Sequence, residues 1–314
     1  MNVLLTGITG NLGFEIARSL NKKGVDILPV VRNRESLYAL GLDFKRTIET
    51  DLTKEIPSIE LSRIDCIIHS AGNVHFEKSG DSNSKMMRSV ILIAQVYKVP
   101  VYYISTAFLW REPGSTERLR NAYETDKAES ERILQASGVP HTIFRPSVLV
   151  GNSESGQLIN WSGYYLLVTK FLEAAKVAGG SKVRFPILTG TSNMVPVDQA
   201  AEVITQTVIA NKSDKLVYVT NPEPPQAQWV LDVTLEFFGI KDKFEFLDIG
   251  FSEYEKLDKT QAEEILYLSG KHFSPYWSLL YNFPKSALDK NLITEEYIKK
   301  TLKSFQDSNN ISTV

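Results

Sequence analysis

The segment Thr6-Gly7-Ile8-Thr9-Gly10-Asn11-Leu12-Gly13 constrains this chain more than any other. It stands between a short apolar run, Val3–Leu5, and a stretch with helical periodicity, Leu12–Leu20. Glycines spaced by three let the backbone turn tightly, approach a pyrophosphate and pack the helix on the strand. The helix amino terminus then offers free N–H groups and partial positive charge to an anion. An ordinary glycine turn is the bland alternative, and it has no need of this strand–turn–helix context. The expectation is a dinucleotide loop made from Gly7, Thr9, Gly10, Asn11, Leu12 and Gly13.

Strand and helix patterns alternate after this loop. Val25–Val31, Phe44–Ile48, Ile64–His69, Val101–Ser105 and His141–Phe144 read as strands, and Asn83–Tyr97 and Tyr123–Ala136 as helices. Such alternation predicts an α/β fold of the Rossmann type, a doubly wound parallel sheet with ligands at the carboxyl ends of its strands. Residues 1–150 are expected to form this core. Beyond Pro146 the pattern loosens. Helices are expected at Asn160–Ala178, Gln199–Ala210, Gln226–Phe238, Ser252–Leu268 and Thr294–Ser304, with little sheet between them. Residues 151–314 therefore read as a smaller, mostly helical substrate lobe, with 187–220 returning to the core. The polar end, Asp307–Val314, is expected to fray.

The end of the second strand selects the dinucleotide. An acid there binds the ribose 2′-hydroxyl, whereas an arginine accommodates a 2′-phosphate. Here the strand ends Val30-Val31-Arg32-Asn33-Arg34, with no acid before Glu35. Arg32 points to NADP (NADPH) rather than NAD, because a guanidinium binds phosphate bidentately. A solvated loop charge is the alternative. Asp51 and Leu52, after the third strand, stand where the adenine would lie. Ser70, Ala71 and Gly72 end the fourth strand, where small residues let a cofactor rest on the backbone.

Tyr123 and Lys127 are four apart on one helical face. A free tyrosine has a pKa of about 10 and donates a proton poorly at neutral pH. A neighbouring ammonium is expected to lower that pKa and make Tyr123 a general acid. Tyr-x-x-x-Lys occurs by chance in many helices; here it follows the strand bearing Ser105-Thr106. Thr106 offers a hydroxyl for a substrate carbonyl oxygen, and Ser105 is the alternative. Both hydroxyls could instead satisfy backbone groups at a strand end.

Together, the glycine loop, Arg32, Asp51-Leu52, Ser105-Thr106, Tyr123 with Lys127, Arg145-Pro146-Ser147 and Met194-Val195-Pro196-Val197-Asp198 resemble the extended short-chain dehydrogenase/reductase family over roughly residues 1–210. The resemblance implies that Thr106 holds the carbonyl oxygen and that Tyr123 protonates it. It implies that Lys127 binds the nicotinamide ribose and that Pro146, Ser147 and Val148 flank the nicotinamide. Asn83 falls at the family's helix asparagine, with Met86 and Met87 where Gly and Thr are usual. Within the family, His69-Ser70-Ala71-Gly72-Asn73-Val74-His75-Phe76 is similar to the thioester reductase and fatty acyl reductase (male-sterility-like) branch. Tyr267-Leu268-Ser269-Gly270 and the aromatic stretch Phe273–Tyr281 resemble it too. The implied activity is NADPH-dependent reduction of a carbonyl or of an acyl thioester on CoA or a carrier protein. A nucleotide-sugar epimerase, dehydratase or reductase of the same fold is the alternative, and a non-catalytic NADP sensor is a third. The aromatics Phe108, Trp110, Trp161, Tyr164 and Tyr165 serve either as packing or as a substrate lining.

Several classes are excluded by composition. A net charge of −2 gives no global attraction to nucleic acid. The four histidines lack metal-ligand spacing, so no metal is expected. Cys66 is the single cysteine and reads as a buried structural thiol. No apolar run approaches the roughly 18 residues of a spanning helix, and the first strand leaves no room for a signal peptide. The expectation is a cytoplasmic protein acting on a small molecule, with a homodimer allowed.

Overall fold

Seven strands run parallel in one sheet: β1 (Asn2–Thr6), β2 (Asp26–Val31), β3 (Ile48–Glu49), β4 (Cys66–His69), β5 (Val101–Ile104), β6 (His141–Pro146) and β7 (Lys215–Val219). Their order is β7-β6-β5-β4-β1-β2-β3, with β1 central between β4 and β2. The computed structural model describes residues 1–57, 64–74, 80–212, 215–280 and 282–311. His75, Phe76 and Tyr281, from the branch-like motifs, lie outside the described residues.

The sheet is apolar on both faces because helices cover both. On one face, Leu4, Ile67, Val101, Tyr103 and Ile143 meet Met87, Val90, Ile91 and Ala94 of helix α2 (Ser82–Tyr97) and Ile133 and Leu134 of helix α3 (Ala122–Ala136). Met87 is fully buried there, so methionine fills the helix–sheet space where a smaller residue was the family expectation. Helix α1 (Asn11–Lys22) and helix α4 (Val197–Ile209) pack together. Ser19 Oγ donates to Glu202 Oε2 at 2.9 Å, and Lys23 Nζ reaches the same atom at 2.5 Å.

The elements begin where local chemistry permits. Asn121 caps α3 by accepting from the Glu124 N–H at 2.9 Å. Lys98 takes a left-handed φ of 54° and ends α2. The start of α2 is unlike the others, because its cap comes from elsewhere in the chain. The Asp126 carboxylate, inside α3, accepts from Asn83 N at 2.8 Å and Ser84 N at 3.0 Å. An acid at that point also complements the helix dipole.

Two compact units emerge. One comprises Met1–Leu149, Val197–Thr220 and Phe283–Leu288, and the other Val150–Pro196, Asn221–Asn282 and Asp289–Val314. The return to the first unit begins at Val197. The later return, Phe283–Leu288, is tied by Ser286 Oγ donating to Thr220 O at 2.7 Å. The second unit has helices at Tyr164–Val177, Ala227–Phe237, Gln261–Trp277 and Glu295–Ser308. It also has a parallel pair of strands, Val183–Pro186 and Phe244–Leu247, where little sheet was expected. The expected helix Ser252–Leu268 is two helices, Phe251–Tyr254 and Gln261–Trp277. The second starts with a capping box between Thr260 and Glu263. The last helix runs to Ser308, two residues into the polar end.

Among the described residues, no helix is long and apolar enough to cross a membrane. Removing the imported cap tests how far α2 depends on α3. Asp126→Ala is expected to cost about 1–2 kcal/mol. Thermal or urea unfolding measures this, and an unchanged midpoint would show that the cap contributes nothing.

Candidate active site

The glycine loop sits against the end of β4. Gly7 has a φ of +75°, and a Cβ there would lie 2.3 Å from Ala71 N. A Cβ on Gly13 would lie 2.1 Å from the Gly7 carbonyl oxygen. Gly7 therefore demands glycine for conformation and contact, and Gly13 for contact alone. Gly10 caps α1 without a side-chain hydrogen bond. Leu12 anchors the helix in the core, and Thr9 and Asn11 stay partly exposed around the turn.

Below the loop runs a buried polar line. Thr6 Oγ1 accepts from Ala71 N at 3.1 Å and lies 2.7 Å from His69 Nδ1. Burial and the Lys127 charge push the His69 imidazole down to about 3, so it is neutral at ordinary pH. Its ring stacks on Tyr103 at 5.6 Å. The Lys127 ammonium lies 4.9 Å from the centre of the Tyr103 ring and donates to Ile104 O at 2.8 Å. A Cβ on Gly72 would lie 3.1 Å from that ammonium and 3.3 Å from Asn83 Oδ1. Asn83 in turn accepts from Asn73 N at 2.8 Å and donates to Asn73 O at 3.0 Å. Ser70-Ala71-Gly72 is thus pinned to Lys127, which sequence distance could not reveal.

Tyr123 is buried at the first turn of α3 and shares a side-chain hydrogen bond with Thr106. Thr106 also caps the short turn Ala107–Leu109, accepting from Phe108 N at 3.3 Å. One expectation is corrected here. Burial raises the Tyr123 phenol to about 12, against a smaller lowering by the Thr106 hydrogen bond. Lys127 was expected to lower it, but within the protein alone desolvation wins. Lys127 is itself pushed down to about 8 by burial, with Glu131 and Asp126 opposing.

Next to Tyr123, Glu124 is fully buried and holds Arg111 at 2.8 Å and Arg120 at 3.3 Å. Sequence reasoning did not single out this cluster, because nothing in the spacing of Arg111, Arg120 and Glu124 shows that they meet. It ties the loop after β5 to the helix bearing Tyr123. Arg145 forms a two-point ion pair with Glu131, at 3.0 and 2.7 Å, and donates to Tyr218 Oη at 2.7 Å.

The remaining candidates lie along the carboxyl edge of the sheet. Ser105 Oγ and Ser147 Oγ are buried and have no hydrogen-bond partner among the described residues. They follow the adjacent strands β5 and β6, where Ser105 N donates to Phe144 O at 2.7 Å and Ser147 N to Val219 O at 3.1 Å. Pro146 ends β6 and Val148 lies just beyond, partly exposed. Arg32 is exposed at the end of β2, with no partner among the described residues. Arg34 instead turns to Thr47 O at 3.1 Å. Asp51 accepts from Thr53 N at 3.0 Å and Thr53 Oγ1 at 2.7 Å, while the Leu52 side chain enters the core. Leu52 can therefore offer a ligand only its backbone.

A tight glycine cradle, a helix start without a side-chain cap and two orphaned hydroxyls on one sheet edge fit a dinucleotide. Residues 52–204 match the family model described as "Male sterility protein". The chain's Rossmann-like α/β fold is that of short-chain dehydrogenase/reductase structures. A polyketide synthase-nonribosomal peptide synthetase hybrid, himA of Aspergillus japonicus, is 24% identical over 245 residues, covering 57% of this chain and 6% of that protein. This chain thus spans a small part of that relative. Among solved structures, the terminal R domain of the myxalamid PKS-NRPS pathway aligns with a TM-score of 0.74 at 16% identity, covering 99% of this chain and 92% of that one. A thiolation-reductase di-domain from an archaeal non-ribosomal peptide synthetase aligns at 0.73 and 19% identity, covering 99% and 76%. The UDP-glucose 4-epimerase of Bifidobacterium longum, in complex with NAD+ and UDP, aligns at 0.63 and 16% identity, covering 99% of each chain.

Several aromatics of the second unit pack on one another. Tyr165 and Phe171 are buried within that unit, and Trp161 packs edge-on against Tyr165 and Phe305. Cys66 is a buried thiol pushed up to about 12, as a structural cysteine should be. No metal-holding cluster exists among the described residues.

The buried lysine gives a measurable pH dependence. Its folded pKa of about 8 lies below the ordinary 10.5. Between those values the unfolded chain binds more protons, so stability contributed at this residue rises with pH over that window. The burial cost is fully present below about pH 8. Wild type should therefore gain stability relative to Lys127→Met as pH rises from 8 to 10.5, read by denaturation at several pH values. A difference flat with pH would mean that the ammonium is not desolvated.

Proposed function

We propose that this protein is an NADPH-dependent reductase of a carbonyl or an acyl thioester, the thioester being carried on CoA or on a carrier protein. The observation that carries the reading is the Tyr123–Thr106 hydrogen bond at the end of β5, with the Lys127 ammonium one turn along the same helix. NADPH would be held by Gly7, Thr9, Gly10, Asn11, Leu12 and Gly13 at its pyrophosphate and by Arg32 at its 2′-phosphate. Asp51, Leu52 and Ser70-Ala71-Gly72 would border the adenosine and ribose. Lys127, Pro146, Ser147 and Val148 would surround the nicotinamide end. The cofactor supplies a hydride to the carbonyl carbon.

The chain's own groups handle the oxygen. Thr106 directs its hydroxyl at the carbonyl oxygen and stabilises the charge that develops there. Tyr123 is protonated throughout the neutral range, and it donates that proton to the alkoxide. The positive charge at Lys127 stabilises the resulting phenolate until solvent returns a proton. With a thioester, the first hydride produces a hemithioacetal, whose C–S bond breaks to release thiol and aldehyde. The carrier-bound substrate class is supported by the peptide-synthetase reductase domains that share the fold. Arg32, rather than an acid, is the specific observation that favours NADPH-dependent reduction over nucleotide-sugar epimerisation.

Two measurements test this reading. Arg32→Ala should weaken NADPH binding by about 1.5–3 kcal/mol, roughly tenfold to a hundredfold, and leave NADH unchanged. Equal losses for both would sink the 2′-phosphate assignment. Tyr123→Phe should retain NADPH affinity while turnover of an aldehyde falls by roughly 10²–10⁴. Thiolate is a good leaving group, so the same variant should be assayed on an acyl thioester as well. Wild-type rates on both substrates would reduce Tyr123 to a structural residue.

A further inference from the structure

Among the buried donors that the mechanism does not use, one is an indole. Trp110 Nε1 is closed to solvent and has no hydrogen-bond partner among the described residues. An indole N–H can only donate, so no rotation or change of role relieves it. Burying it unpaired carries a desolvation cost of about 1–3 kcal/mol. Such an orphan in a well-packed region calls for an explanation, and a bound ligand is one.

The placement of the ring is specific. Trp110 lies four residues beyond Thr106, across the short 3-10 turn Ala107–Leu109. At about 2 Å per residue, its backbone is roughly 8 Å from that of Thr106. Trp110 N donates to Ala107 O at 2.9 Å. Arg111 Nη1 donates to both Phe108 O and Trp110 O, at 2.7 and 2.8 Å. The same guanidinium is paired with buried Glu124, the neighbour of Tyr123. The indole meets Tyr218 edge-on, with ring centres 6.2 Å apart. Tyr218 in turn pairs with Arg145 on β6, two residues before Ser147. The indole is therefore locked to the helix of the general acid and to the strand ends beside it.

We propose that Trp110 Nε1–H is a specificity-determining donor that reads a hydrogen-bond acceptor on the acyl chain, a few bonds from the reacting carbonyl. The proposal rests on the acyl-reductase reading for the nature of the ligand. The favoured substrates are acyl thioesters bearing an oxygen near the thioester, in preference to plain alkyl ones. Because the N–H is closed to water in the free protein, the side chains covering it must part when the substrate enters.

The test uses two pantetheine thioesters of equal shape, a β-methoxyacyl compound and its β-ethyl analogue, in which one oxygen becomes CH₂. Binding to the full chain with NADP+ present is measured by calorimetry. Wild type should bind the methoxy compound roughly threefold to tenfold more tightly, the worth of one neutral hydrogen bond. Trp110→Phe keeps an aromatic ring at the position facing Tyr218 and removes the donor along with part of the ring. It should abolish that preference while leaving thermal stability and NADPH affinity intact. Equal binding of the two compounds by wild type overturns the proposal. So does a preference that survives in Trp110→Phe, or no binding of either compound. NADPH oxidation is a separate readout. A preference lost in Trp110→Phe, with no turnover of any thioester or aldehyde, would sink the reductase reading and leave the donor site standing.

Discussion

Taking a lysine ammonium out of water is costly, and Lys127 is buried on every side. What offsets that cost also arranges the site. The Ile104 carbonyl accepts one proton at 2.8 Å and the Tyr103 ring lies beneath the charge. Asp126 and Glu131 favour the charged form from the same helix. Each of these groups has a second duty. Asp126 caps α2, Glu131 grips Arg145, and Tyr103 stacks on His69. Moving the ammonium would therefore disturb α2, β6 and the loop after β4 together. A polar network of this kind holds its geometry only when all its members are satisfied.

The electrostatics of the acid follow from the same burial. In the protein's own field Tyr123 rises to about 12 and Lys127 falls to about 8. Both shifts have desolvation as their largest cause, and they push an acid and a base toward their neutral forms. The pair is therefore sensitive to any positive charge brought beside it. A nicotinamide cofactor in its oxidised form is such a charge, and it would move the tyrosine toward ionisation while disfavouring the ammonium. The neutral His69 beneath them adds no charge of its own, which keeps this balance local.

Much of the first unit was legible from local pattern. The glycine spacing, the apolar strands and the helical periodicity are short-range properties, and all parallel strands but the last fall in the first half. Tyr123 and Lys127 were readable because four residues make one helical turn. Element ends were less so. The third strand is only Ile48–Glu49, and the strand at Phe244–Leu247 was passed over because its partner, Val183–Pro186, is 60 residues away. The capping box at Thr260 and Glu263 was present in the sequence, and it marks the break that divided one expected helix into two. The aromatics of Tyr164–Phe171 carried two readings, and packing within the second unit took Tyr165 and Phe171.

By itself, the sequence determined the fold class, the glycine loop and the one-turn spacing of Tyr123 and Lys127, because each depends on residues a few positions apart. Only the tertiary structure decided the rest. It joined Asp126 to Asn83 and Ser84 across more than forty residues, buried Glu124 between two arginines, and set Thr106 against Tyr123. It also left the Ser105, Ser147 and Trp110 donors without partners among the described residues. None of this is visible in a sequence, for a physical reason. Whether a polar group is paired or orphaned, and which way its pKa moves, depends on what distant segments of the chain bring beside it and on how completely they exclude water.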